Sequence, residues 1–118
     1  MNNTKNLILD LTFDFALEII EFSEIIEEQR KYIIARQILK SGTSIGANSR
    51  EAQNAESKAD FIHKLKIAAK EADETEYWLL LCEKAKSYPN PEKLLDKINH
   101  IQRTLSKIIG SAKRNIKK

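Results

Sequence analysis

The chain has 118 residues, 42% hydrophobic and 31% charged, which fits a single domain over 1–118 and excludes a disordered polymer. Its 16 Ile and 12 Leu stand beside no Val, 3 Gly and 2 Pro, a balance that argues against a turn-rich β-fold and for helices. The net charge is only +3, yet residues 1–30 carry two basic and seven acidic side chains, and residues 93–118 carry eight basic and one acidic. Such asymmetry fits either an anionic partner at the C-terminal end or two helices that pair electrostatically.

The single cysteine, Cys82, rules out an intrachain disulfide and reads as a buried free thiol among leucines. No apolar run reaches the ~18 residues of a membrane span, and the N-terminal stretch interleaves acids with apolar residues, unlike a signal peptide. The expected compartment is therefore the cytoplasm, with no membrane partner.

In chain order, Ile8, Leu11, Phe15, Ile19, Phe22 and Ile26 recur at steps of three and four and predict a first helix over 6–29. Its glutamates read as a solvated face. A second helix over 31–55 repeats the pattern with Ala35, Ile38, Gly42, Ile45, Ser49 and Ala52, positions that are often small. Glycine inside a helix costs about 0.5–1 kcal/mol relative to Ala, so Gly42 and Gly46 need a reason. One is close approach of another backbone, within the chain or from a neighbouring subunit. The other is a broken helix, a Ser/Gly/Thr loop with amides free for an anion. The unbroken heptad on both sides favours a continuous helix. There is no GxxxxGK[ST], so a P-loop is not supported.

The polar run at 54–57 predicts a turn, with Ser57 capping a third helix over 58–86 and Asp60 three residues on. Its stripe is Phe61, Leu65, Ala68, Ala72, Thr75, Leu79 and Cys82. Residues 87–92, SYPNPE, break the chain again: Pro89 stops a helix, Asn90 can cap the next, and Pro91 suits its first position. The last helix carries Leu94, Ile98, Ile101, Leu105, Ile108, Ala112 and Ile116. Four helices with short connections imply an all-α, antiparallel up-down-up-down four-helix bundle.

No catalytic constellation emerges. Asp60 and His63 stand at i, i+3, but the chain lacks the Glu-x-x-His pairs of a di-iron bundle. No metal or cofactor site is expected, and both histidines read as surface or interface residues. Glu71, Asp73, Glu74 and Glu76 point in several directions on a helix; pairing with Arg36, Lys40 or Arg50 is the better account. Tyr77 and Trp78 diverge by about 100° and suit packing rather than a stacking platform. Arg103, Lys107, Lys113, Arg114, Lys117 and Lys118 form a basic block that could follow phosphates.

The residues Ser41-Gly42-Thr43-Ser44-Ile45-Gly46-Ala47-Asn48, Arg50-Glu51-Ala52, Ser57-Lys58, Asp60-Phe61, Lys70-Glu71-Ala72 and Glu74-Thr75-Glu76-Tyr77-Trp78-Leu79 closely resemble the bacterial 23S rRNA intervening-sequence proteins. That resemblance implies a four-helix bundle assembling into a pentameric barrel. A related branch, the accessory protein of diversity-generating retroelements, binds reverse transcriptase and nucleic acid through a basic surface. Many members carry Asn-x-Ala-Glu-Gly where this chain has Asn48-Ser49-Arg50-Glu51-Ala52, which puts it in a variant branch.

Together these readings give a non-enzymatic homo-oligomer that binds RNA or DNA through the basic block, or alternatively a protein-interaction scaffold without nucleic acid. Gly42, Gly46, Arg50, Tyr77 and Trp78 are the expected contacts between subunits. A second apolar edge supports assembly: Phe13, Ala16, Leu17 and Ile20 on the first helix, and Ile62, Tyr77, Trp78 and Leu81 on the third.

Overall fold

A computed structural model of the chain describes residues 4–116, and the side chains of 7–115. Four helices follow one another: α1 (Thr4–Glu28), α2 (Tyr32–Ala52), α3 (Lys58–Lys84) and α4 (Glu92–Ile116). Each packs on its neighbours in sequence and α1 also packs on α4. This is an antiparallel up-down-up-down bundle, elongated along its helices, of which α1 and α4 have 25 residues each.

The three breaks have separate local causes. At the first, Arg30 sits at φ 66, in the left-handed region. Its N–H donates to the Glu27 carbonyl at 2.9 Å and the Lys31 N–H to that of Ile26 at 3.2 Å, the paired bonds that close a helix end. At the second, Ser57 Oγ accepts from the Asp60 N–H at 3.0 Å and Asp60 Oδ2 accepts from the Glu56 N–H at 3.3 Å. At the third, Asn90 Oδ1 accepts from the Glu92 N–H at 3.0 Å. The Lys31 ammonium lies 5.1 Å from the centre of the Tyr88 ring, joining the first and third turns at one end of the bundle.

The predicted stripes form the core. Ile8, Phe15, Ile19, Ile26, Ile38, Ile45, Leu65, Leu79, Ile98, Ile101 and Leu105 are all buried to 1% exposure or less. Two positions differ from expectation. On α3, Ile62 is buried while Phe61 is only half-buried against the core, so Ile62 is not part of an exposed second edge. On α1, Thr12 is fully buried and Leu11 half-buried, because Thr12 spends its hydroxyl on the Ile8 carbonyl at 2.8 Å and offers its narrow side to α2.

Helix α2 runs unbroken through Gly42 and Gly46. Its hydroxyls bond back to their own helix: Thr43 donates to the Leu39 carbonyl, Ser44 to Lys40 and Ser49 to Ile45, at 2.7–2.8 Å. The backbone therefore offers no anion-binding loop here. The glycines answer to close packing on α1. A Cβ on Gly42 would stand 2.8 Å from Ile19 Cγ2, and one on Gly46 would stand 3.2 Å from Thr12 Oγ1. On the other flank of α2, Ser41 Oγ and Thr75 Oγ1 meet at 2.9 Å, both fully buried, which fixes α2 against α3.

Candidate nucleic-acid interface

Arg103, Lys107 and Arg114 recur at steps of four and seven, so they share one stripe on α4, and all three are exposed. His100 extends the stripe, and Asp96 is the one acid on it. Lys113 is exposed on the same helix; Lys117 and Lys118 lie outside the described residues. The Lys97 ammonium is bonded to Glu18 of α1. Lys64 and Glu51 form a further ion pair at 3.2 Å. Both are partly exposed and contribute little to stability. Acidic α1 and basic α4 are thus neighbours joined by the Lys97–Glu18 pair, and Arg103, Lys107 and Arg114 are exposed on α4.

Sequence reasoning missed what the antiparallel topology brings to this stripe. The end of α4 meets the start of α3, and Lys58 and Phe61 line a groove there together with Lys107, Ile108, Ala112 and Arg114. The groove measures about 470 Å³, and among the described residues no carboxylate lines it. The signal was present in the alternation of helix directions, which puts the N-terminus of α3 beside the C-terminus of α4, rather than in any local motif.

The acidic group on α3 is structural. Gln102 Nε2 donates to Asp73 Oδ1 at 3.0 Å and to Glu76 Oε1 at 3.1 Å, tying α3 to α4. The Trp78 indole N–H donates to Glu74 Oε2 at 3.1 Å. Glu71 has its pKa raised by burial and by the nearby Glu74 charge, against an opposing pull from Lys40. Of the α2 cations expected beside this group, Lys40 acts on Glu71, and Gln102 of α4 holds Asp73 and Glu76. Burial pushes the Cys82 thiol up to about 11, far from a reactive thiolate at neutral pH. Among the described residues, no group of three or more His, Cys, Asp or Glu is placed to hold a metal ion, and no helix is long and apolar enough to cross a membrane.

The residues expected between subunits separate into two sets. Gly42 is buried against Ile19 inside the chain. Gly46 and Arg50 instead line an outward groove between α1 and α2 with Phe13, Ala16 and Thr43. Beside it Phe13 is 57% exposed, Leu17 49% and Ile20 39%. Tyr77 is exposed on α3, its ring edge-on to half-buried Trp78 with centroids 5.3 Å apart.

A four-helix bundle with one basic helix face and one apolar inter-helix groove is the class of protein this geometry defines. The description of the 23S rRNA-intervening sequence protein family matches residues 4–107; the chain belongs to that family. It is similar to the crystal structure of a protein of unknown function from the S23 ribosomal protein family of Bacteroides thetaiotaomicron, at 41% identity and a TM-score of 0.86, covering 92% of this chain and 99% of that one. No curated protein matches the chain.

Proposed function

We propose that this chain is a non-enzymatic, self-associating bundle that binds RNA or DNA through the outer face of α4. The observation that carries the reading is the stripe Arg103–Lys107–Arg114, exposed along one face with Asp96 as the one acid on it. Cations so spaced can follow a phosphate backbone, with affinity set by counterion release rather than by base contacts. Self-association rests on the apolar edge of Phe13, Leu17 and Ile20, a surface of the kind that marks interfaces; the pentamer is the assembly implied by the family resemblance. A ring of copies would repeat the stripe and raise a modest single-site affinity.

The test is a salt-titrated binding assay against structured RNA, single strands and duplex DNA, with the mass measured by light scattering in the same buffer. We expect affinity to fall steeply with salt. We also expect the combined Arg103→Ala, Lys107→Ala, Lys113→Ala and Arg114→Ala variant to lose binding with its helical signal and mass intact. Absence of wild-type binding at low salt would leave the alternative, a protein-interaction scaffold, as the better reading. A monomeric mass would defeat the assembly.

A further inference from the structure

Two apolar surfaces of the bundle open to solvent, and their shapes are opposite. Between α1 and α2 runs a valley, lined first by Phe13, Ala16, Thr43 and Gly46 and in the following turns by Ile20 and Leu39. On α3, Glu74, Tyr77, Leu81 and Lys84 recur at steps of three, four and three, so they form one exposed crest. Leu80 widens its apolar middle, and Tyr77, Leu80 and Leu81 are 56%, 42% and 41% exposed. Both surfaces are charged at their ends. Arg50 lines the valley toward the start of α1, and Glu24 and Glu27 outnumber Arg36 toward its end. The crest begins at Glu74, with Asp73 beside it, and ends at Lys84.

A valley between two helices is filled by the ridge of one helix laid along it, not by a second valley. We propose that the α1–α2 valley of one copy takes the α3 crest of a second copy, with Tyr77, Leu80 and Leu81 seated on Phe13, Leu17 and Ile20. The proposal rests on the self-association reading and adds to it which faces meet and in which direction. The direction follows from charge. With the incoming α3 parallel to the receiving α1, Glu74 lies toward Arg50, and Lys84 toward Glu24 and Glu27. Turned round, α3 would set Glu74 against the glutamates and Lys84 against Arg50, like charges at both ends. The lengths agree, since Glu74 to Lys84 and Phe13 to Glu24 span about 15 and about 17 Å of helix. Because α1 and α3 also run the same way inside one chain, successive copies keep their long axes parallel. The contact joins unlike faces, so it continues from copy to copy and closes into a ring where the rotation allows.

Light scattering on the full chain, with two single-face variants, is the test. Phe13→Lys spoils the valley and Tyr77→Lys spoils the crest. Both positions are more than half exposed, so the helical signal should persist. Each variant alone should be a monomer. Mixed in equal amounts they should form a 1:1 pair and nothing larger, since one still offers a crest and the other a valley. Charge reversal tests the direction and carries the proposal if either lysine variant fails to fold. Arg50→Glu and Glu74→Arg should each weaken assembly about tenfold, and the two in one chain should restore it. A Tyr77→Lys variant with the parent's mass would remove α3 from the contact and overturn the proposal, leaving self-association standing. A double charge variant no better than either single would overturn the direction. A monomeric parent would overturn both the contact and the self-association on which it rests.

Discussion

A first side-chain carbon added at Gly42 would land 2.8 and 2.9 Å from two carbons of Ile19, whereas one added at Gly110 would meet only the Arg114 guanidinium, at 3.5 Å. Both glycines sit inside long helices and both carry the same intrinsic penalty. The α1–α2 seam gains close packing in exchange, since Ile19 fills the space a side chain would need. The end of α4 gains no such contact. A helical glycine is thus informative only with its neighbour: the first marks a required approach of two helices, the second a position open to change.

The sharpest break of this comparison is Gly42→Ala. Ile19 is fully buried and stiff at χ1, so it cannot rotate away and the two helices must separate. Overpacking of this kind costs about 1–3 kcal/mol, more than the helix propensity returned by alanine. Urea unfolding should show a lowered midpoint with an unchanged slope. A variant as stable as the parent would mean that α1 and α2 can move apart freely.

Next in size is the polar contact on the other flank of α2, in the seam with α3, where Thr75 Oγ1 lies 2.9 Å from Ser41 Oγ and 2.7 Å from the Glu71 carbonyl. Ser41 in turn donates to the Gln37 carbonyl at 2.9 Å. Thr75→Val keeps the shape and removes the hydroxyl, so Ser41 loses its buried partner at a cost of about 1 kcal/mol. Adding Ser41→Ala should then cost less than it does in the parent, because the hydroxyl it removes has already lost Thr75. If the two losses simply add, the hydroxyls do not stabilise each other and the seam is held by shape alone.

The stripes of all four helices were legible because burial in a bundle follows the helical period so closely. The tight contact at Gly42 and Gly46 was legible as the favoured of two readings, the other being a broken helix, because the heptad continues on both sides. What filled the space was not: Ile19 and Thr12 lie more than twenty residues away, and only the register of α1 against α2 selects them. The Arg30 helix end carried no signal, since glycine or asparagine usually occupies a left-handed closing position. For the candidate interface, the α4 cations could be read directly from composition. Lys58 and Phe61 could not, because they join the stripe only through the alternation of helix directions. The outward groove at Gly46 and Arg50 shows the same limit: its α1 side is set by packing angle, which periodicity does not contain.

The smallest expected effect lies at the other pole of the comparison. Gly110 is half-buried on the flank of α4, and an added Cβ there makes one ordinary van der Waals contact. Gly110→Ala should therefore recover the helix-propensity difference, about 0.5–1 kcal/mol, and raise the melting temperature by a few degrees for a domain of this size. The Arg114 guanidinium can rest on the new methyl, so nucleic-acid affinity should not change. A lowered melting temperature would mean that α4 needs glycine at this point, and that its last turns, like the α1–α2 seam, are held by an approach too close for a side chain.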